Sequence, residues 1–151
     1  MPSFSITTPI GRLTIAASGE AITGVRWGSG EPCKETPLLA EAARQLEAFF
    51  AGRLTRFDLP LAPAGTAFDQ RVWAAMRTIP YGETRTYGDL AHLTDSGPRA
   101  IGRACGRNPI PIIVPCHRVL ARGGLGGYSG GAGLPTKQWL LALESRLRKA
   151  A

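Results

Sequence analysis

The stretch Asp58-Leu59-Pro60-Leu61-Ala62-Pro63-Ala64-Gly65 constrains this chain most. It carries two prolines, has no apolar periodicity, and reads as a semi-extended linker that neither a helix nor a central strand can cross. The 151 residues therefore divide into an N-terminal domain over 1–57, a linker over 58–65 and a C-terminal domain over 66–151.

The two parts differ in charge. Residues 1–64 hold six Lys/Arg and six Asp/Glu, so the net charge of +7 belongs wholly to residues 65–151. Fifteen of the eighteen cations are arginine, the side chain suited to bidentate phosphate and base contacts. A neutral scaffold joined to a basic module points to an anionic partner, most simply nucleic acid. An arginine-favouring genome would explain the arginine bias, but it explains the asymmetry less well.

In the first part, alternating segments at residues 4–7, 13–16 and 22–27 are separated by turn signals at Pro9-Ile10-Gly11 and Ser18-Gly19-Glu20. They predict an antiparallel meander. Thr36-Pro37 then reads as an N-cap and first helical position. Leu38, Leu39, Ala42, Leu46, Phe49 and Phe50 recur at helical spacing up to Gly52. Trp27 is expected in the core, and Cys33 in a surface loop with no histidine near it.

Beyond the linker, Thr66 and Asp69 have capping-box spacing, with Phe68, Val72, Ala75 and Met76 as the apolar face and Trp73 beside it. Thr86 and Asp89 repeat that spacing before a short helix over Tyr87–Leu93. A turn follows, then a second short helix, Pro98 to Gly106. Two short helices about a tight turn in a basic region resemble a helix-turn-helix. The second one has arginines and very small residues but no Asn, Gln, Ser or Thr. It suits phosphate and minor-groove contact better than reading of base edges, unless its small residues merely pack a helix pair tightly.

Ile110-Pro111-Ile112-Ile113-Val114 reads as a buried strand that delivers Cys116 and His117 at its end. A thiol next to an imidazole is the pairing that makes cysteine a nucleophile. The glycine-rich loop 123–131 suits a backbone that closes on a flat ligand. In the last helix, Thr136 to Lys149, Trp139, Leu140, Leu143 and Leu147 share a face, with Glu144 beside it. Charged side chains rarely sit there unpaired. His117 as its partner would complete a Cys-His-Glu relay.

The run Asn108 to Val119 resembles the active-site segment of the O6-alkylguanine-DNA alkyltransferases. Gly65-Thr66-Ala67-Phe68 with Val72-Trp73, Ile79 to Thr84, Tyr87 to Ala91, Pro98 to Gly102, Gly127 to Gly131 and Leu140 to Glu144 match in that family's order. The resemblance is dense over about 65–148 and looser before it. It implies an α+β protein: a small ribonuclease H-like α/β domain with an antiparallel sheet and one helix, then a mostly helical domain with a helix-turn-helix of winged-helix type. It also implies a methylated-DNA–protein-cysteine methyltransferase. Such a protein repairs O6-alkylguanine, and O4-alkylthymine as well, by one irreversible transfer after nucleotide flipping from the minor groove.

By position, the resemblance makes Cys116 the acceptor, His117 its base through water, and Glu144 the group that orients the imidazole. Tyr87 donates to the departing guanine, and Asn108 ties the helix-turn-helix to the active-site segment. Arg99 fills the gap left in the base stack, and Ala100, Gly102, Arg103 and Thr86 meet the DNA. Pro111, Val119, Gly127, Tyr128 and Ser129 line the base pocket, with carbonyls of Cys116 and Val119 facing the guanine amino group.

The expected partner is double-stranded DNA with the alkylated base, bound by a monomer without a cofactor. The animal members' zinc site has no counterpart, since residues 1–64 hold Cys33 alone and no histidine. The three cysteines make no disulfide framework. No apolar run nears the ~20 residues of a membrane span, and Met1-Pro2-Ser3-Phe4 lacks a secretory start, so a cytoplasmic protein is expected. Competing readings are a lesion-binding module that recruits other proteins, a thiol hydrolase and a sequence-specific repressor. Cys116, the charge and the helix composition disfavour them in that order.

Overall fold

Alternation of side chains over residues 3–27 yields a three-stranded antiparallel sheet: β1 (Ser3–Thr8), β2 (Gly11–Ser18) and β3 (Ala21–Trp27), in that order. The computed structural model describes residues 2–28 and 34–150, the last four by their backbone alone. Cys33 lies outside the described residues. Ile6 stands opposite Leu13, and Ile15 opposite Val25. These four and Ala17 are buried. One helix, α1 (Pro37–Phe50), packs on all three strands through Leu39, Ala42, Leu46 and Phe49. Thr36 caps it, its hydroxyl accepting the Leu39 N–H at 3.2 Å.

Trp27 departs from expectation. It is half-buried, and its Nε1 donates to the Ile10 carbonyl at 3.1 Å, as suits an indole at the edge of a core. The proline-rich stretch also differs from a free linker. The Ile22 N–H donates to Pro60 O and the Ala62 N–H to Ile22 O, both at 2.8 Å. Leu61 thereby runs parallel to β3. The prolines permit this because the pairing draws on the Pro60 carbonyl and the Ala62 N–H and asks no proline for a donor. The buried Gln45 amide holds the start of the stretch through both the N–H and the carbonyl of Asp58. The chain divides into two units, Met1–Ala64 and Gly65–Ala151.

The second unit is built on α2 (Ala67–Arg77), α3 (Tyr87–Leu93), α4 (Pro98–Gly106) and α5 (Leu134–Ala150), with the short parallel strands β4 (Arg85–Thr86) and β5 (Val119–Leu120). Thr66–Asp69 and Thr86–Asp89 both form complete capping boxes. Trp73 sits in the core rather than beside it, 2% exposed, and its Nε1 donates to the Ala104 carbonyl of α4 at 2.9 Å. Phe68, expected on the apolar face, is half-buried, with the Arg71 guanidinium over its ring. Asp69 is buried because Arg107, at the end of α4, grips its carboxylate with Nε and one terminal nitrogen. Helices α3 and α4 pack together and against α2.

Residues 110–114 are not a strand. A single bridge joins Pro111 to Val114, and the chain turns tightly, with the Val114 N–H on Ile110 O at 2.9 Å. Ile112 adopts φ 76°, a region that a β-branched side chain rarely enters. The run is apolar because Ile110, Ile112, Ile113 and Val114 are all buried, which periodicity alone cannot tell from a strand. The last helix begins at Leu134, two residues ahead of the expected start.

Candidate active site

Cys116, His117 and Arg118 form one turn of 3-10 helix between the tight turn and β5. All three are buried, and His117 is fully so. His117 Nε2 lies 2.7 Å from Glu144 Oε2 on α5. Arg118 grips the same carboxylate, Nε to Oε1 at 2.8 Å and a terminal nitrogen to Oε2 at 3.0 Å, and also donates to the Ile79 carbonyl. Burial opposes ionisation of Glu144, but the bonds from His117 and Arg118 outweigh it and hold the carboxyl at about 2.

Because Arg118 neutralises Glu144, the imidazole need not be charged. Burial lowers the His117 pKa, against the pull of Glu144. A neutral ring that donates its Nε2 proton to Glu144 keeps its lone pair on Nδ1, which has no hydrogen-bond partner among the described residues. The imidazole is thus arranged as a base. No direct hydrogen bond joins it to the thiol among the described contacts. The Asn108 side chain is the neighbour that most favours the thiolate.

Asn108 stands where α4 meets the tight turn. Its N–H donates to Cys105 O at 3.2 Å, its Nδ2 to Val114 O at 2.9 Å, and its Oδ1 accepts the Ile110 N–H at 2.9 Å. Burial pushes the Cys116 thiol up, while the Asn108 bond and the Lys137 charge act the other way.

The glycine-rich loop is fastened to α3. Tyr87 Oη accepts the Gly127 N–H at 3.3 Å. Gly126, at φ +72°, lies so close to the Tyr87 ring that a Cβ there would stand 2.7 Å from it. Burial raises the Tyr87 pKa, so its hydroxyl keeps a proton to donate. The same cause raises Tyr128, whose buried hydroxyl also feels Cys116. Pro111 and Val119 are buried, whereas Gly127 and Ser129 are exposed.

Arg99, Gly102, Arg103 and Gly106 fall at helical spacing on the outer side of α4, while Ile101 and Ala104 point into the core. A Cβ on Gly102 or Gly106 would meet nothing within 4 Å. The small residues on this face therefore do not pack a helix pair. Ala100 is half-buried, and Thr86 has its oxygen committed to capping α3.

Two residues of the cluster escaped the sequence reading as participants. Arg118 was visible only as part of the motif, and Lys137 not at all. Lys137 is fully buried on α5 and donates to Val119 O and Leu125 O at 2.6 Å and to Gly127 O at 3.0 Å. It sits one turn before Leu140 and two before Glu144, on the face judged apolar. Its signal was that spacing to Glu144. Of the expected face, Leu140 and Leu143 are buried and Trp139 is half-buried. The Leu147 side chain lies outside the described residues.

Residues 67–146 match the family model described as 6-O-methylguanine DNA methyltransferase, DNA binding domain. Residues 5–63 match the model of the ribonuclease-like domain of the same proteins. The chain belongs to the 6-O-methylguanine DNA methyltransferase family. Within that family, the methylated-DNA–protein-cysteine methyltransferase of Methanosarcina acetivorans is 47% identical over 148 residues, covering 91% of this chain and 94% of the relative. The one from Mycolicibacterium paratuberculosis is 48% identical over 152 residues, covering 94% and 91%. Among solved structures, Mycobacterium tuberculosis OGT in complex with DNA superposes with a TM-score of 0.87 at 44% identity, covering 97% of this chain and 94% of that one. The α+β class follows from both the elements and these relatives. The DNA-binding-domain match contains Tyr87, Asn108, Cys116, His117, Lys137 and Glu144 alike. Among the described residues no group of His, Cys, Asp and Glu could hold a metal ion, and no helix is long and apolar enough to cross a membrane.

Proposed function

We propose that this chain repairs DNA by moving an alkyl group from O6 of a flipped guanine onto Cys116, once per molecule. The observation that carries the reading is the buried Cys116–His117–Glu144 cluster, set in the same unit as an exposed α4 face of arginines and bare glycine backbone. His117 Nδ1 takes the thiol proton, through a water molecule. The thiolate attacks the alkyl carbon, an S–C bond forms, and the C–O6 bond breaks with its electron pair left on guanine. Tyr87 donates a hydrogen bond to the base as that charge develops. The product thioether has no leaving group, so the protein does not turn over.

A stacked guanine is out of reach of a buried thiol, and flipping costs a few kcal/mol. Phosphate contacts and Arg99, inserted from the minor-groove side, offset that cost, and the open Gly102 and Gly106 let the duplex approach the α4 backbone. The Cys116 and Val119 carbonyls face the guanine amino group with one lone pair each. The other already accepts the Val119 N–H and the Lys137 ammonium respectively. O4-alkylthymine, a monomeric state, freedom from metal and cofactor, and a cytoplasmic location belong to the same proposal.

Label transferred from a duplex carrying O6-[methyl-14C]guanine tests it. Transfer should plateau at one methyl per protein, with none from undamaged duplex. Continued turnover, or hydrolysis of a small thioester or ester by Cys116, would contradict it.

A further inference from the structure

Three short donor bonds to three carbonyls fix the charge on Lys137. A neutral amine has two N–H groups, so only an ammonium can serve Val119 O, Leu125 O and Gly127 O together. The side chain is fully buried, and no carboxylate pairs with it among the described residues. Glu144, two turns further along the same helix, is already committed to His117 and Arg118. A buried cation surrounded only by neutral dipoles is costly. If fastening the loop were its whole task, an uncharged amide could hold two of the three carbonyls without the cost of burying a cation.

The groups around Lys137 suggest what the charge is for. Its Nζ lies 5.9 Å from the centre of the Tyr87 ring. It holds the carbonyl of Val119, whose own N–H caps the turn that begins at Cys116. It acts electrostatically on Cys116, Cys105 and His117. Of these, Cys116 is the group that must become an anion in the reaction proposed above.

We propose that Lys137 is a positioning residue of the alkyl transfer: a carbonyl-clamped ammonium that serves as the counter-ion of the Cys116 thiolate. This rests on Cys116 being the acceptor. Other groups facing the thiol are Asn108 before the turn, Tyr87 on α3, Cys105 on α4 and Tyr128 in the loop, with His117 and Arg118 beside it and Glu144 on α5. Asn108 and Lys137 both favour the thiolate, and Lys137 is the cation acting on it from α5. The tyrosines and Cys105, held neutral by burial, supply no positive charge.

Reaction of Cys116 with iodoacetamide as a function of pH tests the proposal in the full chain without DNA. In Lys137→Met and in Lys137→Gln, which keeps two amide donors for the three carbonyls, the midpoint should move to higher pH. The rate at neutral pH should fall by about tenfold for each unit moved. An unchanged midpoint in either variant, with the melting profile of the parent, would overturn the proposal and leave Lys137 a loop fastener. Should neither variant fold, 13Cε NMR of Lys137 in the parent and in Cys116→Ser decides. The ammonium should lose its proton at lower pH once the thiol is gone, and coincident titrations would overturn the idea. Failure of alkyl transfer itself would show separately, as no methyl taken from DNA.

Discussion

Glu144 receives the His117 Nε2–H at 2.7 Å while Arg118 grips the same carboxylate from the other side. This shared acceptor decides the state of the imidazole. The ion pair is made by Arg118, so His117 stays neutral and Nδ1 keeps its lone pair. Glu144→Gln should keep the geometry and remove the anion. Alkyl transfer should slow by roughly two to four orders of magnitude, what loss of a tautomer-fixing acid costs, while affinity for DNA stays unchanged. Single-turnover rates and binding isotherms measure the two separately.

The same carboxylate makes stability depend on pH. Its pKa falls from 4.5 to about 2 on folding. A depressed acid stabilises the fold above the unfolded value and loses that contribution as pH falls through the folded one. Denaturant midpoints should therefore drop between pH 4.5 and about 2, and Glu144→Gln should lack this component. Glu144→Ala should cost roughly 3–5 kcal/mol at neutral pH, because it strands the buried Arg118 charge.

Asp69 joins the start of α2 to the end of α4. It closes the capping box on Thr66 and receives the Arg107 fork. Asp69→Ala removes both, at a cost of about 2–4 kcal/mol, from the lost cap and the lost buried partner. Arg107→Ala strands the buried Asp69 carboxylate but leaves it the Thr66 N–H and the capping box, so it should cost less than losing both. Urea unfolding of the two variants gives the ranking, and a larger loss in Arg107→Ala would contradict it.

Gly126→Ala should push the loop away from Tyr87. The substitution forces a Cβ to within 2.7 Å of the ring at φ +72°. The left-handed conformation alone costs about 1–2 kcal/mol. The expected result is slower transfer with nearly unchanged DNA affinity, since the added Cβ meets Tyr87 on α3 and removes none of the α4 arginines. Equal losses in rate and affinity would count against that division.

The outer face of α4 should act through charge. Arg99→Ala and Arg103→Ala should each weaken binding to any duplex and reduce the slope of log affinity against log salt by about 1. Arg99→Ala should in addition slow transfer at saturating DNA, because it loses the side chain assigned to the base stack. Salt titrations of the two variants test this.

The legible parts of the chain were those where local chemistry decides. Thr36, Thr66 and Thr86 announced their helices because capping is a contact across three residues. The meander showed because alternation survives in short strands. The Glu144–His117 bond was within reach because an acid beside an apolar face calls for a partner. What escaped depends on tertiary contact. Lys137 looks like a solvated charge until three distant carbonyls converge on it. Trp73 looked peripheral until Ala104 received its N–H. Ile110–Val114 has the composition of a strand and the path of a turn, since burial selects apolar side chains in either. Pro60 and Ala62 pair with Ile22 through backbone atoms that leave no trace in side-chain pattern.

The most direct test of the central claim is mass spectrometry, intact and on peptides, after mixing the protein with a duplex containing O6-methylguanine. The account predicts one added methyl group, on Cys116, never more than one per chain, with guanine restored in the DNA. Tight binding to the lesion without any gain in mass, or a methyl group on Cys105 in its place, would contradict it.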